Sequence, residues 1–109
     1  MLNQTIIVGR LTSDLEVKET ESGKKVSSLT LAVPRSFKNA DGEYDTDFID
    51  VVLWEAVAEN TAEYCKKGDL IGVRGRIQTR TIEYEDSKQN VTEVVAERVT
   101  FLSSRRADN

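Results

Sequence analysis

The segment FIDVVLWEAVAENTAEYCKKGDLIGVRG, residues 48–75, decides the fold because its periodicity changes twice. It begins with the two-residue alternation of a β-strand, which predicts a strand over residues 46–54. Apolar residues then recur with helical spacing, which predicts a helix over 56–67 that ends in two lysines before Gly68. Alternation returns and predicts another strand over 69–82. The centre of the chain is therefore strand, helix, strand.

The first of these strands has two different faces. Its alternation places Ile49, Val51 and Leu53 on one side, where they can fill a hydrophobic core. The other side carries Phe48, Asp50, Val52 and Trp54. A face that combines two aromatic rings with a carboxylate differs from a core face, so its role depends on what surrounds it.

Further strands are predicted on both sides of this centre. Residues 5–11 predict a first strand, residues 15–33 predict two arms around the turn signal at 22–25 and end at Pro34, and residues 91–102 predict a last strand. Five strands with one helix between the third and the fourth predict an all-β, five-stranded OB-fold barrel. Such barrels bind oligonucleotides or oligosaccharides.

The length of 109 residues is that of one domain, predicted over residues 1–103 with a short polar tail over 104–109. The single cysteine, Cys65, excludes an internal disulfide, and its place on the apolar stripe of the helix indicates a small core residue. The chain shows no signal-peptide pattern and no apolar run of membrane-spanning length. We therefore expect a soluble, intracellular protein.

Charge and histidine content limit the classes of function. Acidic residues outnumber basic ones by 19 to 15, whereas a nucleic-acid-binding protein is expected to be basic at least locally. The chain has no histidine, which removes most familiar general-base and metal chemistry, and no phosphate-binding glycine loop. An enzyme is therefore the least expected class. Whether the protein can bind nucleic acid depends on how the basic residues are distributed over its surface.

The segment GVRGRIQTRTIEY, residues 72–84, concentrates cations on one side of a strand. The two-residue period places one set of side chains on a common face, namely Arg74, Arg76, Gln78, Arg80, Ile82 and Tyr84. A row of planar, permanently charged guanidinium groups matches a phosphate backbone. The alternative is a solvated face whose arginines pair with some of the acidic residues.

Aromatic side chains accompany these cations. Phe48 and Trp54 lie on the non-core face of the third strand, and Phe37 lies between Arg35 and Lys38 in the segment PRSFKN. Interleaved rings and cations are typical of single-stranded nucleic-acid binding, because bases stack on the rings while cations follow the backbone. For any single ring the alternative is burial in the core.

Together these segments resemble the bacterial and phage single-stranded DNA-binding proteins. The resemblance covers nearly the whole chain and rests on LNQTIIVGRLTSDLEV (2–17), VSSLTLAVPRSFKNADGE (26–43), DFIDVVLW (47–54), AENTAEYCKKGDLIGVRGRIQTR (58–80) and VTEVVAERVTFL (91–102). It implies an OB-fold subunit, usually assembled as a homotetramer, that binds and protects single-stranded DNA without sequence preference in replication, recombination or repair. It implies no catalytic activity and no cofactor or metal.

The resemblance also implies site residues. The principal stacking residues would be Phe37, Phe48 and Trp54. The phosphate contacts would include Arg10, Arg35, Lys67, Arg76 and Arg80, to which the strand period adds Arg74.

Three positions depart from the family pattern. Ile82 stands where members usually carry an aromatic residue, so one stacking residue is lost or is supplied by Tyr84. Asp50 and Glu55 stand where many members carry basic or neutral residues. These carboxylates predict weaker affinity and a smaller salt dependence, because fewer phosphates would be neutralised.

The expected partners are single-stranded DNA, further copies of the chain, and replication or recombination proteins. The expected location is the cytoplasm of a bacterial cell or a phage-infected host, with the nucleoid. Many cellular members carry a linker and an acidic tip that recruits other enzymes; this chain stops soon after the predicted barrel, so such recruitment is expected to be absent or placed elsewhere.

The alternatives are an OB-fold module of a primosome or RNA-associated complex, and an oligosaccharide- or protein-binding domain, which would not need a row of arginines.

Overall fold

The computed structural model describes residues 1–104, so the predicted polar tail lies outside the described residues apart from Ser104. The elements in chain order are β1 (Thr5–Leu11), β2 (Lys18–Glu19), β3 (Lys25–Lys38), β4 (Tyr44–Trp54), α1 (Glu55–Tyr64), β5 (Leu70–Glu83) and β6 (Lys88–Ser103). The short β2 pairs with the beginning of β3, and these two strands are the two predicted arms. Within residues 1–104, no helix is long and apolar enough to cross a membrane.

The strands close into one barrel. β3 lies between β1 and β4 in antiparallel pairings, and β4 pairs in parallel with β6. β6 pairs antiparallel with β5, which in turn pairs antiparallel with β1. The strand β1 closes the barrel because it contacts β5 along most of its length and β3 at its end. The predicted five-stranded OB-fold barrel, with its helix between β4 and β5, is confirmed.

The inward faces of the strands form the core. Val51 and Leu53 of β4 are fully buried and Ile49 is half-buried, so the predicted core face of this strand is confirmed. The other strands contribute mainly Leu29, Leu31, Ile71, Val73, Val94 and Ala96. Cys65 is buried against this cluster, so its prediction as a small core residue is confirmed although it follows the helix and does not belong to it.

Gly75 lies where the pairing of β5 and β6 changes register. β6 has one extra residue between the partners of Arg74 and Gly75, which is a β-bulge. A Cβ atom at position 75 would overlap the carbonyl oxygen of Val95, so only glycine permits this approach. Past Ile77 and its partner Val94, where β6 last pairs with β4, β5 and β6 pair only with each other in the described chain. Ile77 is accordingly exposed although Val73 on the same side of the strand is buried.

The helix is shorter than the predicted range of 56–67. Its last residue is Tyr64, because Cys65 has an extended backbone. Lys66 and Lys67 lie in the following loop and do not neutralise the helix C-terminus, which corrects that prediction. Gly68 has a positive φ of 91° and belongs to the turn that leads into β5, so it does not end the helix.

β3 continues beyond Pro34, where the regular run was predicted to end. Pro34 pairs with Thr46, and four steps along β3 from Pro34 to Lys38 match only two steps along β4. The pairing of β1 with β3 has already ended near Ala32. A proline is tolerated at such a position because it lies at an edge and beside a bulge, where a missing N–H does not break a continuous ladder.

Candidate nucleic-acid interface

The outward side chains of β3 and β4 form a row of directly opposed pairs. Antiparallel pairing brings them together as Val26 with Trp54, Ser28 with Val52, Thr30 with Asp50, and Ala32 with Phe48. The predicted non-core face of the third strand, which is β4, therefore forms one continuous surface with the outward side of β3. We use the name outer face for this surface of β3 and β4 together with the outward residues of β6 and of the second half of β5 that adjoin it.

The predicted stacking rings are not in the core. Phe48 is 67% exposed, Phe37 63% and Trp54 39%, so burial does not explain these side chains. Phe48 and Trp54 are six residues apart on β4, which corresponds to about 20 Å at ~3.4 Å per residue. Phe37 lies in the bulged part of β3, where the strand period does not fix the direction of a side chain.

The barrel brings two of the predicted arginines to the outer face. Arg76 pairs across the ladder with Val95, and Val95 pairs with Val52 of β4. Arg80, four residues further along β5, lines the same groove as Asp50 and Val52. Both guanidinium groups thus adjoin the surface that carries Phe48 and Trp54.

Arg80 is held by a buried carboxylate. Its Nε donates to both oxygens of Glu93, at 3.1 and 3.2 Å, and the side-chain amide of Gln78 donates to the same carboxylate at 2.9 Å. The side chain of Glu93 is 5% exposed, whereas that of Arg80 is 52% exposed. The pair therefore neutralises a buried charge and also fixes a guanidinium group at the surface. The sequence pattern did not identify Gln78 or Glu93 as partners, although Glu93 is an isolated charge beside a buried apolar run.

Arg35 forms a second ion pair, on the β3–β4 hairpin. Its Nε donates to Asp47 Oδ2 at 3.1 Å and its Nη2 donates to Oδ1 at 3.0 Å. These hydrogen bonds, with the attraction of the two charges, raise the pKa of Arg35 and lower the pKa of Asp47 below its ordinary 3.8. The pair stabilises the fold above pH 3.8, and this contribution is lost as the pH falls through the lowered pKa of Asp47. Of the arginine row on residues 72–84, Arg80 is paired with an acidic residue as the alternative supposed, and Arg35 outside that row is paired as well.

The remaining predicted cations have different surroundings. Arg10 pairs with Ala32, which lies opposite Phe48, so it adjoins the outer face, and its Nη1 donates to the Gly68 carbonyl at 3.0 Å. Lys67 is exposed in the loop next to Gly68. Arg74 pairs with Ile6 of β1 and with Arg98 of β6, so it belongs to a different part of the barrel surface.

The positions that depart from the family pattern also have defined contacts. Asp50 accepts a hydrogen bond from Thr30 Oγ1 at 3.0 Å. Glu55 has a positive φ of 52° and accepts a hydrogen bond from the Lys25 N–H at 2.7 Å, which ties the residue after Trp54 to the beginning of β3. A positive φ is costly for a residue with a Cβ, so this tether compensates a local strain.

The predicted replacement for the missing ring lies beyond the strand. Ile82 is half-buried within β5. Tyr84 follows the end of β5 in the turn to β6, where its ring is exposed and its hydroxyl lies 3.4 Å from Gln89 Oε1. The ring is accessible on the projecting β5–β6 hairpin, away from the row on β3 and β4.

A family model for the single-strand binding protein family matches residues 2–102. The chain belongs to this family. Single-stranded DNA-binding protein B of Bacillus subtilis (strain 168) is 51% identical over 106 residues, which are 96% of this chain and 94% of that protein. Single-stranded DNA-binding protein 1 of Staphylococcus aureus (strain MSSA476) is 49% identical over an alignment of 110 positions that covers 100% of this chain and 70% of that protein.

A solved structure described as a Plasmodium falciparum SSB complex with ssDNA has the same fold. Its TM-score is 0.83 at 24% sequence identity, and the match covers 94% of this chain and 96% of that chain. This likeness supports the OB-fold barrel, and at that identity it supports the fold alone.

The two roles of Arg80 can be separated by comparing it with Arg76. Arg80→Ala leaves the buried carboxylate of Glu93 with Gln78 as its remaining side-chain donor, so we expect a loss of about 1–3 kcal/mol in the free energy of unfolding. Arg76→Ala removes an exposed side chain that donates one long hydrogen bond, 3.3 Å from its Nη1 to Gln78 Oε1, and we expect a change within about 0.5 kcal/mol. Urea denaturation measures both values. Adding Glu93→Gln to Arg80→Ala should restore stability, and equal stability of the two single variants would contradict this account.

The ion pair on the hairpin should limit phosphate binding by Arg35. Asp47→Asn removes the carboxylate that occupies the guanidinium group, so binding of single-stranded DNA should tighten. The slope of log K against log[salt] should become steeper by about 0.7, which corresponds to one additional phosphate contact. Asp41→Asn is the matched control, because it removes one charge from the turn of the same hairpin. An unchanged slope for Asp47→Asn would contradict the claim that Asp47 withholds Arg35 from phosphate.

Proposed function

We propose that this protein binds single-stranded DNA along the outer face, by stacking bases on exposed rings and neutralising phosphates with arginines. The observation that carries the proposal is that Phe48 and Trp54 lie exposed on one strand while Arg76 and Arg80 adjoin the same surface. Membership of the single-strand binding protein family and the names of the relatives agree with it. The proposed domain covers residues 1–103, and the protein is a binding protein, not an enzyme.

Stacking accounts for a lack of strong sequence preference. Every base has a π-face, and each base stacked on an aromatic side chain contributes ~1–3 kcal/mol. The proposed stacking residues are Phe37, Phe48, Trp54 and Tyr84. The proposed phosphate contacts are Arg10, Arg35, Lys67, Arg76 and Arg80. Arg74 lies beside β1, so it is proposed as a contact only for a DNA strand that continues around the barrel.

The proposed assembly is a homotetramer. β1 exposes Ile6 and Val8, at 72% and 47%, on a strand whose first residues pair only with β5 in the described chain. An exposed apolar strand with an open edge is a favourable surface for pairing with another subunit. Replication or recombination proteins are proposed as further partners, and the bacterial or phage-infected cytoplasm as the location.

Removal of single rings tests the proposal. Trp54→Ala and Phe48→Ala should each weaken binding of a fluorescently labelled thymine oligonucleotide by about 5- to 150-fold, because each loses one stacked base. Fluorescence anisotropy at fixed salt measures the affinity. Tyr64→Ala is the control, since Tyr64 is an equally exposed ring on the helix. Equal affinities of all three variants and the wild type would refute the outer face as the DNA-binding surface. If the wild type binds an RNA of the same sequence more tightly than the DNA, an RNA-associated function is favoured.

A further inference from the structure

The surface between the two stacking residues of β4 lacks a ring. Phe48 and Trp54 are about 20 Å apart along the strand, so several nucleotides of a bound single strand would lie between them. The outward side chains in this interval are Ser28, Thr30, Asp50 and Val52. A base in this interval meets no aromatic ring, so apolar contact and hydrogen bonds to its edge become important for holding it.

A groove of about 370 Å³ occupies this interval. This volume is at the small end of the ~300–1,000 Å³ that is typical of ligand pockets. Its polar lining consists of Ser13, Ser28, Thr30, Asp50, Arg80 and Glu93. The groove therefore offers hydroxyl groups, a guanidinium group and two carboxylates to a base that enters it.

Only one of the two carboxylates is suited to receive a ligand. Glu93 is buried and accepts hydrogen bonds from Gln78 and Arg80. Asp50 is exposed and accepts one hydrogen bond, from Thr30 Oγ1 to its Oδ1. An ionised carboxylate has about four acceptor positions. Thr30 thus orients Asp50 and leaves acceptor capacity on a carboxylate that lines the groove.

We propose that Asp50 reads the edge of the base between Phe48 and Trp54 and favours bases that carry an exocyclic amino group. This inference rests on the proposed single-stranded DNA binding and adds a base preference to it. Adenine, cytosine and guanine each carry an amino donor, whereas thymine has no amino group and its one ring N–H lies between two carbonyl acceptors that a carboxylate repels. Guanine can donate its ring N–H and its 2-amino group together to one carboxylate. At this one position of the bound strand, guanine is therefore favoured most and thymine least.

Simple charge repulsion by Asp50 has a different signature. A carboxylate that only repels phosphates weakens the binding of every sequence by the same factor. A carboxylate that accepts a hydrogen bond from a base changes the ratio of affinities between sequences. The ratio therefore separates the two effects even though Asp50→Asn also removes a negative charge.

The test is a competition assay with three oligonucleotides of equal length. One contains only thymine, the second has guanine at every third position, and the third has inosine in place of guanine, which removes the 2-amino group. Asp50→Asn should lower the guanine-to-thymine affinity ratio by about two- to tenfold, the effect of one hydrogen bond. Inosine should lower the affinity of the wild type but change that of Asp50→Asn much less.

Two further variants sharpen the interpretation. Asp41→Asn removes a charge outside the groove and should change all three affinities by one common factor. Thr30→Val removes the hydrogen bond that orients Asp50 and should lower the guanine-to-thymine ratio in the same direction as Asp50→Asn. Melting curves of each variant check that the fold is retained.

The outcomes separate this inference from the proposed function. If the wild type and Asp50→Asn bind all three oligonucleotides with the same ratios, the base preference is refuted while the binding function stands. If the wild type binds none of them, the proposed function fails and the inference fails with it. A lowered ratio in Asp50→Asn, with a common factor in Asp41→Asn, supports the inference.

Discussion

The position of β4 between β3 and β6 is the constraint on which the site depends. The parallel pairing of Val51 with Val94 and of Val52 with Val95 joins β4 to β6 and is one of the pairings that the closed barrel requires. Once β4 is fixed there, its two-residue alternation sends Val51 and Leu53 into the core and turns Phe48, Asp50 and Trp54 outward. A slip by one residue would exchange the two faces and bury the carboxylate. The same burial that stabilises the barrel therefore holds the rings in solvent.

The net negative charge is compatible with this surface because the charges are distributed unevenly. Several carboxylates are engaged within the protein, as Glu93 is by Arg80 and Asp47 by Arg35. Such pairs hold guanidinium groups in defined orientations while lowering their availability to phosphate. The affinity for a nucleic acid then depends on how well its phosphates compete with these carboxylates for the guanidinium groups. Both the salt concentration and the local geometry control this competition.

The fold and the faces of the strands were predictable from the sequence, whereas the pairing of charges was not. The alternation in residues 48–54 and in 72–76 places each side chain correctly, because burial fixes it. The contact of Arg80 with Glu93 joins residues 13 apart across the β5–β6 hairpin, so it depends on the register of two strands and not on the pattern within either one. The extra residues of β3 after Pro34 and the early end of the helix at Tyr64 are likewise set by tertiary pairing, which outweighs local preference.

The emission of Trp54 tests the central claim most directly, because it is the only tryptophan in the chain and lies on the outer face. If bases stack on this face, titration with a thymine oligonucleotide should quench the intrinsic fluorescence in proportion to occupancy measured independently by anisotropy. The quenching should reverse at high salt as the DNA dissociates. Full occupancy with unchanged Trp54 emission would contradict the account, because the DNA would then be bound elsewhere on the barrel.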